Sequence, residues 1–351
     1  MLPEPSRATV LLGSAVLLAI SVGAGVAVGS VSVPLPLTVR ALLDPASVPP
    51  ELRTIVADLR APRVLLAALV GGGLAASGVT YQGLFRNALA DPYVIGVSAG
   101  AALGAVVAIA LGAGGLTVPI AAFASALCTV GLVFQIARRR GVVRMEHLLL
   151  AGLAVGAFFA ALLSVVLILA SGSLQQSLAW LMGGFGGRGW RHVGIATPFV
   201  VFGYVLAQLR TRELDLLLLS EDEARSMGVH VSRTRGVLIA AATLMTAASA
   251  AVAGLIGFVG LIVPHLVRRL TGPDHRVLLP ASALCGGSLV VLADLAARTV
   301  APPIEIPVGA VTALLGVPFF LWLLFRGEAR AAGGGQEPDT NDPPRRPWTA
   351  G

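Results

Sequence analysis

An all-α polytopic membrane bundle is the fold class this sequence predicts, and three observations predict it. Of the 351 residues, 56% are hydrophobic and only 12% charged, against about a quarter charged in soluble domains; the mean hydropathy is +0.86. Apolar runs of about 20 residues, the length that crosses a bilayer as a helix, recur between short polar turns. Charged residues gather at the ends of those runs. Length and spacing give about ten spans forming one transmembrane domain over residues 1–326. No segment outside the spans is large enough to fold alone.

All 25 basic residues are arginine, because the chain contains no lysine. A Walker A lysine, a Schiff-base lysine and a kinase lysine are therefore excluded, and any ATP chemistry must sit on another chain. The net charge of +7 is explained by basic loops flanking membrane spans rather than by a nucleic-acid partner. Cys128 and Cys285 lie singly in apolar runs and read as small packing residues. The five histidines are scattered without ligand spacing, so neither a metal nor a cofactor is indicated. An embedded enzyme would need a nucleophile with a base, or paired carboxylates at depth, and none is visible.

The first span covers residues 10–30. It is longer than the 7–15 residues of a typical signal-peptide core, so a retained span is expected. Residues 31–62 are proline-rich (Pro34, Pro36, Pro45, Pro49, Pro50) and close on ELRTIVADLR, a short surface helix, ending at Arg60 and Arg63. Spans two and three, 63–83 and 94–112, flank a polar turn from Arg86 to Asp91. In the third, Gly96, Gly100 and Gly104 recur every four residues and leave a bare face for close helix packing. Span four, 117–137, ends in Arg138, Arg139, Arg140 and Arg144. By the positive-inside rule that loop is cytoplasmic, which places both termini inside and Arg60 and Arg63 outside.

Span five runs from His147 to Ala170. The following SGSLQQSLAWLMGGFGGRGWRH is too polar and glycine-broken to span and predicts a short helix over Leu174–Met182. Its Gly183, Gly184, Gly186 and Gly187 read either as lining of a pathway mouth or as a plain surface turn. Span six, 193–209, leads to a loop at 210–235. There Ser220 followed by Glu223 forms a capping-box pattern, Glu221 suits a helix start, and Gly228 suits the position after a helix end. A helix over Glu221–Met227, including Ala224, is predicted; it either packs on its own spans or docks into another protein.

Spans seven to ten follow at 236–255, 256–269, 277–297 and 308–325. Pro264 is expected to interrupt the eighth. Asp294 stands one turn before Arg298 in the ninth, which suggests a local ion pair. Asp294 is also what a proton-coupled secondary transporter would use, the remote rival reading. Residues 327–351 are rich in glycine, proline and charge and predict a disordered cytoplasmic tail.

Five stretches, LRAPRVL (59–65), QGLFRNALADPYVIGVSAGAALGA (82–105), EARSMGV (223–229), GFVGLIVPHLVRRLTGPDHR (257–276) and LADLAAR with PPIEIPVGAVTALLGVPFF (292–320), resemble the FecCD-type permeases. These are membrane subunits of ABC importers for iron siderophores, haem and vitamin B12. The resemblance implies a type II ABC importer permease fold with ten helices in a cell membrane. It also implies a second permease copy or a related permease, separate ATPase subunits, and an extracytoplasmic substrate-binding protein. Arg60, Arg63 and Arg298 match positions that pair with glutamates of the binding protein. The helix with Ser220, Glu221, Glu223, Ala224, Met227 and Gly228 falls where the family seats its ATPase-coupling helix. The resemblance places iron chelates first as cargo; the MGGFGG form lies nearer the B12 permeases.

Overall fold

In a computed structural model of the protein, residues 6–29, 33–44, 47–139 and 142–333 are described. Helices occupy the position of each of the ten expected spans. Among the described residues, seven helical stretches are long and apolar enough to cross a membrane. They are α1 (Arg7–Ala27); the continuous stretch Pro50–Phe85, which contains α3 (Pro50–Arg53) and α4 (Ala61–Phe85); α6 (Thr117–Ala137); α7 (Met145–Leu169); α9 (Trp190–Leu209); α12 (Val231–Ala253); and α14 (His275–Thr299). Three further helices, α5 (Val97–Ala110), α13 (Val259–Thr271) and α15 (Val308–Gly333), fall where spans three, eight and ten are expected. Shorter helices α2 (Leu35–Leu43), α8 (Leu174–Leu181), α10 (Thr211–Leu216) and α11 (Glu221–Ser226) decorate the ends. Arg138–Arg139 pairs antiparallel with Val142–Val143 as a two-residue ribbon.

Side-chain size sorts the helices into inner and outer. In α12, alanine, serine and threonine let neighbours approach on all sides, and its faces are buried from Leu238 to Ala253 apart from isolated positions. Its hydroxyls are satisfied laterally: Thr246 meets Ser77 at 2.6 Å and Thr243 meets the Tyr81 hydroxyl at 3.0 Å. By contrast, α7 presents Leu150, Leu153, Phe158 and Ile168 outward, the expected dress of a lipid-facing helix. Among the described residues the most extensive helix pairing joins α4 and α14. At its centre a Cβ on Gly71 would collide with the Gly286 carbonyl, so only glycine permits this approach. The bare face of α5 serves the same end, since Gly100 and Gly104 rest on Thr129 and Ser125 of α6.

Two expectations are corrected. ELRTIVADLR is not a separate surface helix. It forms the first turns of the second span, because Thr54–Arg60 adopts a π-helical turn in which the Ala61 N–H reaches the Val56 carbonyl. The wider turn accommodates Pro62, whose ring clashes with a preceding α-helical turn. Nor does Pro264 break α13, which runs through it. Lacking an N–H, Pro264 releases the Gly260 carbonyl, which accepts from Gln82 Nε2 at 3.2 Å; Gln82 Oε1 in turn accepts from Arg268 at 3.0 Å. The last helix continues past residue 326 to Gly333. Pro45, Arg140 and residues 334–351 lie outside the described residues.

Candidate functional site

Arg60, Arg63 and Arg298 meet at one end of the bundle, each bonded to groups of the chain itself. Arg63 grips Asp294 through Nη2 (2.8 Å) and Nε (3.0 Å) and Glu305 through Nη1 (2.9 Å) and Nη2 (3.0 Å). Arg298 Nε approaches Asp294 Oδ2 at 3.4 Å, and its Nη2 donates to the Gly25 carbonyl. Arg60 Nη1 donates to the carbonyls of Val26 (3.2 Å) and Ala27 (2.9 Å). The last carbonyls of α1, which have no partner inside their own helix, are thus capped by two arginines from other helices. Arg60 and Arg298 are only 6% and 5% exposed. The three guanidinium groups are thus engaged within the chain itself. A fully buried Asp294 requires cationic partners, and α1 requires donors at its end. Asp294 is fixed by Arg63 as well as by its own helix neighbour, an arrangement that suits a structural carboxylate better than a proton relay.

At the opposite end, α11 is capped as predicted. Ser220 Oγ accepts from the Glu223 N–H at 3.2 Å, and Glu223 Oε2 accepts from the Ser220 N–H at 2.9 Å. The Ser220 N–H and the Ser220 hydroxyl, both donating to Glu223 Oε2, hold the Glu223 carboxyl below its ordinary value, and a hydrogen bond from Arg235 does the same for Glu221. Met227 closes the helix, and Gly228 turns the chain at φ 84°. Ala224 is buried beneath it, whereas Met227 is exposed.

The helix α10 and its two clamps were not foreseen. Arg86, at the end of α4, donates to the carbonyls of Leu217 (2.9 Å) and Leu219. Asp215 accepts from both the backbone N–H and the ring of His275, the first residue of α14. The only sequence signal was the three-residue spacing of Leu214 and Leu217, both buried.

The glycine loop between α8 and α9 sits beside the arginine cluster. It is pinned by Gly184 N–H to the Ala253 carbonyl (2.7 Å) and by Val308 N–H to the Gly183 carbonyl (3.0 Å). Gly183 adopts φ 70°, and a Cβ there would strike the Leu255 carbonyl. Two cavities of about 370 Å³ and 360 Å³ adjoin the loop. Gly183, Gly184 and Gly186 line the first and Gly187 the second; Arg63, Phe185, Arg188 and Glu305 border both. The glycines thus border a cleft.

Residues 17–326 match the model of the FecCD transport family. The chain belongs to this family. Among its relatives, the cobalamin import system permease of Halobacterium salinarum is 44% identical over 94% of this chain and 92% of its own length. The Fe(3+) dicitrate transport system permease of Escherichia coli is 39% identical over 83% of this chain and 92% of its own. A solved structure described as an inward-facing metal-chelate type ABC transporter superposes with a TM-score of 0.81 at 32% identity, covering 90% of this chain and 98% of that one. The chain is accordingly a multi-pass membrane protein with the permease fold of ABC importers.

Proposed function

We propose that this FecCD protein is the membrane-spanning permease of an ABC importer that carries an iron chelate, siderophore or haem, into the cytoplasm, driven by ATP hydrolysis on separate ATPase subunits. The observation that carries the reading is the family match over residues 17–326. A second copy or a related permease completes the pathway, and the glycine loop lines its mouth. Both termini are cytoplasmic, a reading supported by the basic residues between α6 and α7. The capped helix from Ser220 to Gly228 seats in the ATPase: its polar, charged face is exposed while Ala224 anchors it.

In this reading a substrate-binding protein delivers cargo at the rim built by Arg60, Arg63 and Arg298. Because Arg63 is already occupied on both sides, an incoming carboxylate would have to displace Glu305, which is about half exposed, from Arg63. Cobalamin is the second cargo reading, favoured by the relative at 44% identity.

The test is reconstitution in liposomes with candidate ATPase and binding protein. ATP-dependent uptake of a labelled ferric chelate or cobalamin is expected, and the chain alone should not hydrolyse ATP. Robust hydrolysis by the isolated chain would refute the assignment.

A further inference from the structure

The cleft beside the glycine loop holds a cation without a counter-ion. Of the four arginines that border the second cavity, Arg63 is matched by Asp294 and Glu305, Arg298 lies beside Asp294, and Arg60 caps α1. Arg188 has none of these fates. Its polar neighbour is an imidazole, His192 Nε2, at 3.4 Å. Its Nε is buried and unbonded, and among the described residues no carboxylate lies within ion-pair distance of it. Glu305 is held on Arg63, and Asp58, exposed on the same cleft, does not reach it. Burial pushes the Arg188 guanidinium below its ordinary value. A charge drawn out of water without a partner is costly, so the site favours whatever brings a negative charge to it.

The shape of the cleft says what kind of anion fits. Arg188 borders both cavities where they meet around Phe185. The first, at about 370 Å³, falls in the size range of small-ligand sites and extends past Gly184 to Trp180 and Ile109. That is more room than one acidic side chain from a docking protein fills. Glycines along this wall leave backbone open to close approach.

We propose that Arg188 is the carboxylate-binding residue of this cleft and that it selects small polycarboxylate chelates over neutral ones. The proposal rests on the importer reading for its purpose. The guanidinium presents paired donors that match a carboxylate bidentately, which a lysine or glutamine does not reproduce.

The test uses the full chain in lipid nanodiscs, titrated with citrate by calorimetry. Saturable citrate binding is expected, weakened by about tenfold or more in Arg188→Gln and partly kept in Arg188→Lys. Because no ion pair is lost, Arg188→Gln should melt no lower than the parent, which separates a binding defect from misfolding. Absence of saturable citrate binding to the parent, or equal binding in Arg188→Gln, overturns the proposal. So does a variant that keeps citrate but loses capture of a binding protein, since the carboxylate would then be that protein's. The readout needs no ATPase, so a chain that binds citrate through Arg188 yet transports nothing tells against the importer reading alone.

Discussion

Arg63 and Asp294, 231 positions apart in sequence, are joined by three nitrogen–oxygen contacts of 2.8, 3.0 and 3.2 Å. They tie the rim ends of α4 and α14 together just above the glycine contact of Gly71 with Gly286. Asp294 is shared with Arg298, which has no other carboxylate within ion-pair distance among the described residues, so removing Asp294 leaves that buried charge uncompensated, a loss of about 3–5 kcal/mol. Asp294→Ala is therefore expected to lower the melting temperature in detergent sharply. The double variant Arg298→Met with Asp294→Leu should recover part of the loss, because it removes the buried carboxylate together with the buried arginine that depends on it, while Arg63 keeps Glu305. A single variant as stable as the parent would show that the pair is dispensable.

The glycine seam of α4 makes a second prediction. A Cβ on Gly78 would collide with the Gly260 backbone, whereas Gly131 on α6 has nothing within 4 Å. Gly78→Ala should cost about 1–3 kcal/mol, the scale of overpacking. Gly131→Ala should be neutral or slightly stabilising, because alanine is the better helix former. Thermal unfolding of the two variants side by side checks this, and equal melting points would refute the seam.

Legibility followed the range of the forces involved. Spans were readable because membrane insertion depends on local apolar length, and the α11 cap because Ser220 and Glu223 are three residues apart. The extension of α4 below Ala61 was not readable: Pro62 signals a break, and only the π-helical turn before it cancels that signal. An arginine at a span edge announces a charge but not its direction. Arg60 turns inward because α1, distant in sequence, ends beside it with open carbonyls. Arg188 reads as one more loop arginine until the fold shows that no carboxylate among the described residues reaches it.

The α11 cap carries a pH dependence. Glu221 and Glu223 have folded values below the ordinary 4.5, so their stabilisation is complete above that value and fades as pH falls through the lowered ones. Protection factors for the amides of 221–229, followed by hydrogen exchange, should hold from neutral pH to about 5 and then drop with acidification. Glu223→Gln should flatten that drop. Ser220→Ala should reduce protection at all pH values by about 1 kcal/mol. Protection that stays constant through pH 4 in the parent would remove the carboxylates from the account.

The clamps on α10 supply the final prediction, which depends on the importer reading. Beyond its own ion pairs to Arg225 and Arg235, α11 joins the bundle through α10 and α12. Beside the contact of α10 with α9, two side-chain attachments lead on from α10 and the turn after it: Arg86 to the far end of α4, and Asp215 to the first residue of α14. These same two helices carry Arg63 and Asp294 at the rim, and they are in backbone contact between. A displacement of α11 by an ATPase therefore reaches the rim through helices held at both ends. Arg86→Ala and Asp215→Asn leave the Ser220–Gly228 surface intact, so ATPase binding should persist. Cargo-stimulated hydrolysis should fall roughly tenfold, within the 1–3 kcal/mol usual for coupling between sites. Co-purification with the ATPase measures the first quantity and liposome hydrolysis the second. If both variants lose ATPase binding instead, the clamps only hold the loop in shape; if neither quantity changes, force passes through α9 or α12 instead.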